Sequence, residues 1–472
     1  MRSAREIAQT GHFDPENMDI RPEPNEEDGT VDILFNLQSK ANDQIEFSMG
    51  WGQTGIIGKL SLKFTNFSVK NLLYPSTYKG IIPQGEGQTF TISAQTNARY
   101  YQAYSISFLD PWFGGKRPNS LSVSAYYSRQ TGVNSSYYNS QWQGYNPYGY
   151  GYGYGYGYGY GYGNYNDYYQ NSYEASYDPN KLLQLVGVNI GFGKRLSWPD
   201  DYFTFSAELG YNWYYLKNWE YLYYMNNGTS NALLFGLTLA RNSIDNPLYT
   251  RSGSQFSLNF SFTPPAELFT GKKDWKAISE AAANGSADAK KELYRWIEYW
   301  KLRFKSRTYT PLANADGTYT PVLMTRADFG LLGSYNKYIK SPFETFYVGG
   351  DGMTGMSTYA TETIGLRGYD NGELTKWGRE GYAYTRLGME VHFPLLLQQS
   401  TTIYALAFVE GGNAWTSVSD FNPFELKRSA GAGVRIFLPM VGMMGIDWAY
   451  GFDRVDGVKG GSHFHFILGQ EF

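Results

Sequence analysis

Metal and nucleophile chemistry have few residues to draw on in this chain. It contains no cysteine and four histidines, His12, His392, His463 and His465, so thiolate sites and disulfide frameworks are excluded. His463 and His465 stand two apart, on one face of an extended strand, a spacing that could serve a metal. Polar alternation along a strand produces the same spacing for nothing, so no metal is expected. No G-x-x-x-x-G-K followed by Ser or Thr occurs, Gly349-Gly350-Asp351-Gly352 precedes no helix, and no Ser-His-Asp set can be argued from spacing. Neither enzymatic activity nor a cofactor is expected. The residues that do suggest one another are an arginine and three carboxylates. Arg367 lies in Leu366-Arg367-Gly368-Tyr369-Asp370, inside a long connection, and Glu390, Glu410 and Asp447 follow on three separate extended segments. Three carboxylates near a restricted interior are costly if unpaired. A guanidinium entering from a loop offers them a forked partner. Without those carboxylates, Arg-Gly-aromatic would be an ordinary surface turn.

The elements that must position these groups read as strands. Phe203, Phe205, Ala207, Leu209, Tyr211, Trp213 and Tyr215 form one face of a long segment, and Thr204, Ser206, Glu208, Gly210 and Asn212 the other. This is period 2, not period 3.6. Residues 254–264 and 429–438 repeat the pattern. Further strands are expected near 43–53, 55–66, 88–97, 101–110, 119–129, 181–196, 229–243, 294–309, 322–336, 381–394, 400–415, 442–454 and 462–472, about sixteen in all, an even number as a single-chain barrel requires. The 294–309 segment also fits a helix, because Leu293, Trp296, Ile297 and Trp300 have helical spacing and a helix begun at Asp274 could run through them. Glu390 falls on a polar face with Arg386, Gly388 and His392, opposite Ala383, Leu387, Met389, Val391 and Phe393. Asp447 faces away from Met444, Ile446, Trp448 and Tyr450. The face of Glu410 is ambiguous, since Tyr404, Leu406 and Phe408 share its parity.

Composition bounds the class. The 472 residues include 40 Lys+Arg against 43 Asp+Glu, 54 Gly and 44 Tyr, with aromatics at 18% and a mean hydropathy of −0.45. No stretch approaches the roughly 18 apolar residues of a spanning helix; the longest candidate, Phe437 to Ile446, carries Pro439. Aromatic content argues against disorder, and the net charge of −3 against a nucleic-acid partner. A soluble all-β protein and a transmembrane β-barrel remain. Soluble strands average roughly 5–6 residues, whereas spanning strands need about 9–11 residues of strict alternation, and the segments above favour the all-β transmembrane antiparallel barrel.

Connections alternate between short turns (198–201, 439–441) and long loops (130–180, 265–293, 337–380), although 67–87 is longer than the turn its parity predicts. Residues 148–163 are eight Tyr-Gly dipeptides. They read as a solvent-exposed outer loop, since glycine at alternate positions is entropically poor for a strand; the alternative is an adhesive aromatic segment that orders against a partner or glycan. Residues 265–293 read as a helical outer insert broken at Asn284-Gly285. At the N-terminus, Ala4 to Gln9 resembles a helix end stopped at Gly11. Met18-Asp19-Ile20 and Val31 to Leu37 read as a hairpin around Pro22, Pro24 and the run 25–29. No apolar signal segment precedes them, so the chain is expected to lack an N-terminal portion.

Several of these motifs resemble one family. Phe346-Tyr347-Val348-Gly349-Gly350 with Leu366-Arg367-Gly368-Tyr369 is similar to the sixth-loop signature of the BamA-type outer-membrane insertases. Asp110-Pro111-Trp112-Phe113 resembles the family's turn after the fourth strand, and Asn246 through Tyr249 to Gly253 its turn before the ninth. Phe464, Phe466, Leu468 and Phe472 resemble the terminal signal of barrel proteins, and residues 1–40 the end of the last POTRA repeat. The resemblance implies a sixteen-stranded barrel over 41–472 in the bacterial outer membrane, its POTRA side periplasmic. The Arg367 loop would be tucked inside, with Arg367 paired to Glu390 and Glu410 and with Asp447 as a third partner. It also implies a weak seam between a first strand carrying Ile45, Phe47 and Met49 and a last strand carrying Phe464, Phe466, Leu468 and Phe472. Implied partners are unfolded outer-membrane barrel clients, accessory outer-membrane or lipoprotein subunits and the lipid bilayer. Unpaired backbone groups of a client strand cost several kcal/mol each in lipid, and a weak seam offers them an edge to pair with; Gly50, Gly52, Gly55 and Gly58 would weaken pairing there. A two-partner-type polypeptide secretion pore of the same superfamily, and a porin or adhesin, are the alternatives.

Overall fold

The computed structural model describes residues 19–25, 29–37, 44–52, 55–78, 82–97, 101–115, 119–133, 177–219, 225–246, 248–313, 319–350, 362–377, 380–398, 401–438, 442–455, 457 and 460–468. The helix end at 4–9, the Tyr-Gly run, Phe472 and the side chains of Phe47, Met49 and Leu468 lie outside the described residues. A short antiparallel hairpin, β1 (Asp19–Asn25) with β2 (Thr30–Asn36), comes first. The prolines expected in its loop are instead inside the ladder, Pro22 opposite Ile33 and Pro24 opposite Val31. A two-stranded ribbon has an outward edge on each strand where a missing N–H costs nothing.

Sixteen strands follow in one antiparallel sheet: β3 (Gln44–Gly52), β4 (Gly55–Phe67), β5 (Gln88–Asn97), β6 (Tyr101–Asp110), β7 (Asn119–Val133), β8 (Tyr177–Arg195), β9 (Phe203–Lys217), β10 (Gly228–Asn242), β11 (Gly253–Phe262), β12 (Trp300–Pro311), β13 (Val322–Gly333), β16 (Ala383–Leu397), β17 (Thr402–Trp415), β18 (Lys427–Leu438), β19 (Gly442–Gly451) and β20 (Ser462–Leu468). Two three-residue strands, β14 (Phe346–Val348) and β15 (Glu362–Ile364), pair in parallel within the 337–380 loop. Every barrel strand pairs with its neighbour in sequence, so each hydrophobic pattern is read in register by the next strand. Among the described residues the ladder's two edges are β3 and β20, and no pairing joins them.

Alternation separates lipid from lumen. Val186, Val188, Ile190 and Phe192 of β8, Met389 and Phe393 of β16, and Phe464 and Phe466 of β20 are exposed apolar residues on the outer face, forming the belt that a transmembrane barrel presents to hydrocarbon. Ile45 also projects outward.

The 265–299 region differs from both of its readings as a continuous element. Two helices, α1 (Trp275–Ala283) and α2 (Ala287–Leu293), are capped by the side chains of Asp274 and Ser286 and separated by Asn284 and Gly285. The strand then starts at Trp300, not at 294. Tyr294, Ile297 and Tyr299 are buried in the same core as Trp275, Leu293, Phe346 and Tyr369, so the helix-like spacing of 293–300 records packing against that core. The core fills the loop end of the barrel, with Trp219 and Met225 from the β9–β10 loop also buried in it and Tyr214 stacked on Phe343 at 4.0 Å.

At the turn end, the 67–87 connection is a folded excursion. Ser68 N–H donates to Pro83 O, Gly85 N–H to Asn66 O and the Asn71 side-chain amide to Gln84 O, closing two short 3-10 turns whose Leu72, Leu73 and Tyr74 are exposed.

Candidate functional site

Leu366, Arg367 and Tyr369 are buried within the barrel, carried there by a loop that leaves β13, forms β14 and β15, and returns to β16. Arg367 uses its whole guanidinium. Nη2 donates to Glu390 Oε1 at 2.6 Å and to Glu410 Oε2 at 3.0 Å, Nε donates to Glu410 Oε1 at 3.0 Å, and Nη1 donates to Asp447 Oδ2 at 3.0 Å. Its backbone N–H also donates to Glu410 Oε1, at 2.6 Å. The ring of Phe408 lies under the guanidinium, 3.4 Å from its carbon, a cation–π contact that strengthens when water is excluded.

Each carboxylate has a further partner. Arg386 Nη2 donates to Glu410 Oε2 at 3.3 Å, Arg435 Nη2 donates to Asp447 Oδ2 at 2.8 Å, and the His392 ring nitrogen meets Glu390 Oε2 at 3.0 Å. Three guanidinium groups therefore face three carboxylates, which is what allows so many charges to leave water together. The cluster ties the 337–380 loop to β16, β17, β18 and β19 at once.

Two elements make the approach possible. Gly368, at φ +86°, turns the chain so that its N–H donates to His465 Nε2 of β20 at 2.9 Å. A Cβ there would lie 2.8 Å from Ser429 Cβ and 2.9 Å from Gly451 N. Gly433 leaves the space that the Asp447 carboxylate occupies, since a Cβ would come within 1.8 Å of Oδ1. Gly368→Ala is expected to lift the loop from β18 and β19, through both backbone strain and collision. Protease sensitivity within 337–380 should rise while the barrel strands stay protected; an unchanged cleavage pattern would refute that role.

Tyr369 OH donates to Arg428 O at 2.8 Å, and Arg428 grips Asp453 beyond the end of β19 through Nε–Oδ2 at 3.0 Å and Nη2–Oδ1 at 2.9 Å. That forked hydrogen bond holds the Asp453 carboxyl below its ordinary value. The clamp therefore contributes above the ordinary carboxylate range and is lost only as pH falls through the lower, folded value.

Several site residues escaped the sequence reading. Arg435 and Phe408 carry no motif, His465 is weighed in the sequence only as a metal ligand and instead accepts from Gly368 N–H, and Arg386 lies on the expected face with no partner assigned. The parity of Glu410 is settled in favour of the lumen: Leu406, Phe408 and Glu410 are buried together while Val409 is exposed. Apolar parity misled there because this part of the lumen is itself apolar. His463 and His465 stack at 6.1 Å, and His463 Nδ1 lies 3.2 Å from Asp370 Oδ1, so the two histidines hold the loop. The turn residue Tyr249 crosses the lumen, its OH donating to Thr320 O at 2.8 Å and lying 3.3 Å from His392 O.

Known proteins place this geometry. The chain resembles the structure "BamA from Haemophilus ducreyi lacking POTRA domains 1-3", at 15% identity and a TM-score of 0.57 over 99% of this chain and 78% of that one. It also resembles CdiB from Escherichia coli, at 12% identity and a TM-score of 0.53 over 98% and 69%. These likenesses show the barrel fold. No curated protein sequence matches the chain. The Omp85 superfamily domain matches residues 84–472, the span that holds fourteen of the sixteen barrel strands, from β5 to β20, and every member of the arginine cluster, and the chain therefore belongs to the Omp85 superfamily.

Proposed function

We propose that this protein folds and inserts β-barrel proteins into the bacterial outer membrane through a weak seam between β3 and β20, without nucleotide. The observation that carries the reading is the ladder itself: fifteen strand pairs run in unbroken sequence, and among the described residues no pairing joins the two ends. An edge left open in lipid exposes unsatisfied N–H and C=O groups, which a client's terminal strand can satisfy by β-augmentation. The free energy then comes from the client's own folding. The Arg367 cluster supports this reading because it braces β16 to β19, the strands behind the seam, leaving β20 anchored to the loop through His465. On this reading the β1–β2 hairpin is the end of a POTRA repeat on the periplasmic side, and the partners are unfolded barrel clients, accessory outer-membrane or lipoprotein subunits and lipid.

A secretion pore of the same superfamily is the competing reading. The aromatic core that fills the loop end of the lumen disfavours it, as it does a porin. The test is reconstitution in lipid vesicles with an unfolded barrel client. The native chain has no cysteine, so cysteine pairs scanned between Ile45 and 462–466 lock the seam without side reactions. Oxidation is expected to abolish the acceleration of client folding, and reduction to restore it. A locked protein that assembles clients at the full rate, or one that only conducts ions, overturns the proposal.

A further inference from the structure

We infer that the 67–87 excursion is a membrane anchor, folded against the outward face of the wall and seating Leu72 and Leu73 in the lipid leaflet at the turn end. Phe67, where the excursion begins, fixes the side. It is 7% exposed, stacks on Phe90 at 5.2 Å and meets Phe108 edge-on at 6.4 Å. Those two rings share their strand faces with Ile92 and Ile106, both exposed, while the opposite faces carry the Ser93–Ser105 hydrogen bond. Phe90 and Phe108 therefore stand on the lipid side, and so does whatever covers Phe67. Gln88, two residues before Phe90 and on the same face, fixes a second point: Val69 N–H donates to its side-chain oxygen at 2.8 Å.

A segment that leaves bulk water must satisfy its own backbone. Leu72 N–H donates to Val69 O and Tyr74 N–H to Asn71 O. Asn71 N–H donates to Ser68 Oγ, and Tyr78 OH to Leu72 O; Pro75 brings no N–H. The cation beside them, Lys70, pairs with Glu86 at 2.6 Å. What the excursion presents is then apolar: Leu72, Leu73 and Tyr74 are each more than half exposed, Leu73 by 81%.

Continuity selects lipid as the occupant. Leu60 of β4, Ile92 of β5 and Ile106 of β6 belong to the exposed outward belt, and the excursion extends that same face past Phe90 and Phe108. Exposed aromatic residues mark the same end in the next two connections, Trp112 and Phe113 after β6 and Trp198 after β8, the girdle position at a membrane boundary. A soluble partner would require no such alignment with the belt. Because β4 pairs with the edge strand β3, the anchor sets the depth of the wall beside the open edge, whether the barrel inserts clients or passes them.

The experiment uses the full chain in nanodiscs of phosphatidylethanolamine and phosphatidylglycerol. The native chain has no cysteine, so Leu73→Cys, Val188→Cys in the belt and Lys276→Cys on α1 each carry one environment-sensitive fluorophore. Seating ~5–10 Å into the headgroup boundary predicts that a nitroxide on the acyl chain next to the headgroup quenches the Leu73→Cys label at least about threefold more than the Lys276→Cys label, and that aqueous iodide quenches it correspondingly less. The Val188→Cys label gives the value for full lipid contact. A label at 73 that behaves like the one at 276 overturns the inference. So does one shielded from both quenchers, because a protein surface would then be the occupant. Adding Leu72→Asp is expected to raise iodide quenching at 73 by at least about threefold; lipid quenching that persists in this variant would trace to the fluorophore and also overturns the inference. All four positions are exposed, and heat-modifiable migration checks that each variant is folded.

Discussion

Replacing Arg367 with alanine is expected to destabilise the barrel by about 3–5 kcal/mol, the cost of removing one member of a buried ion cluster, and to slow client assembly with it. The carboxylates explain the size. Without Arg367, Glu410 keeps Arg386 and Asp447 keeps Arg435, whereas Glu390 keeps His392 and the weaker field of Arg326 on the neighbouring strand. Arg367→Lys should not rescue, because one ammonium is a point donor and cannot reach Glu390, Glu410 and Asp447 together. The second-site change Glu390→Gln, made in the Arg367→Ala background, should recover part of the loss by removing the carboxylate left worst paired. Heat-modifiable gel migration and thermal melting measure stability, and client folding in vesicles measures function. Single-variant migration and assembly equal to wild type would refute the cluster's role; a double variant worse than the single would refute the charge argument.

Trp275→Ala should separate the cap from the barrel. Trp275 is 4% exposed and its indole N–H donates to Glu267 Oε1 at 3.0 Å; its neighbours in the same core come from α2, from the 337–380 loop and from the ends of β9 and β16. Truncating a buried tryptophan costs about 3–5 kcal/mol. None of the fifteen strand pairings of the barrel passes through it, so the loss should fall on the packing of 267–299 and not on the barrel. Protease cleavage within 271–293 is expected to rise by at least about tenfold, with heat-modifiable migration retained and ion conductance in planar bilayers increased. Conductance and cleavage both unchanged would show that the helical insert does not help to close the loop end.

Strands were the legible part because alternation is a local property. The faces of β9, β11 and β18, and those of Glu390 and Asp447, followed from period 2, since a chain in lipid must put apolar atoms outward at every second residue. The same rule misassigned the start of β12, because buried residues at 293–299 pack against a core that the barrel itself encloses. It left Glu410 ambiguous for the same reason. Leu406 and Phe408 face inward, where the guanidinium of Arg367 covers the Phe408 ring. Arg435 and His465 were missed because nothing near them in sequence distinguishes a cation or an imidazole facing the lumen from one solvated in it.

The sequence alone determined the number and alternation of the spanning strands, the long 337–380 connection and the chemical set of one arginine with three carboxylates. Those follow from periodicity and from the cost of unpaired charge. Only the tertiary structure decided which strand neighbours which residue across the lumen, that Arg386, Arg435 and His465 complete the cluster, and that the helical insert is built into the core. Such contacts join residues as far as 143 positions apart, as Tyr249 and His392 are. Their partners are chosen by register along the whole sixteen-stranded ladder, a property that no local window contains.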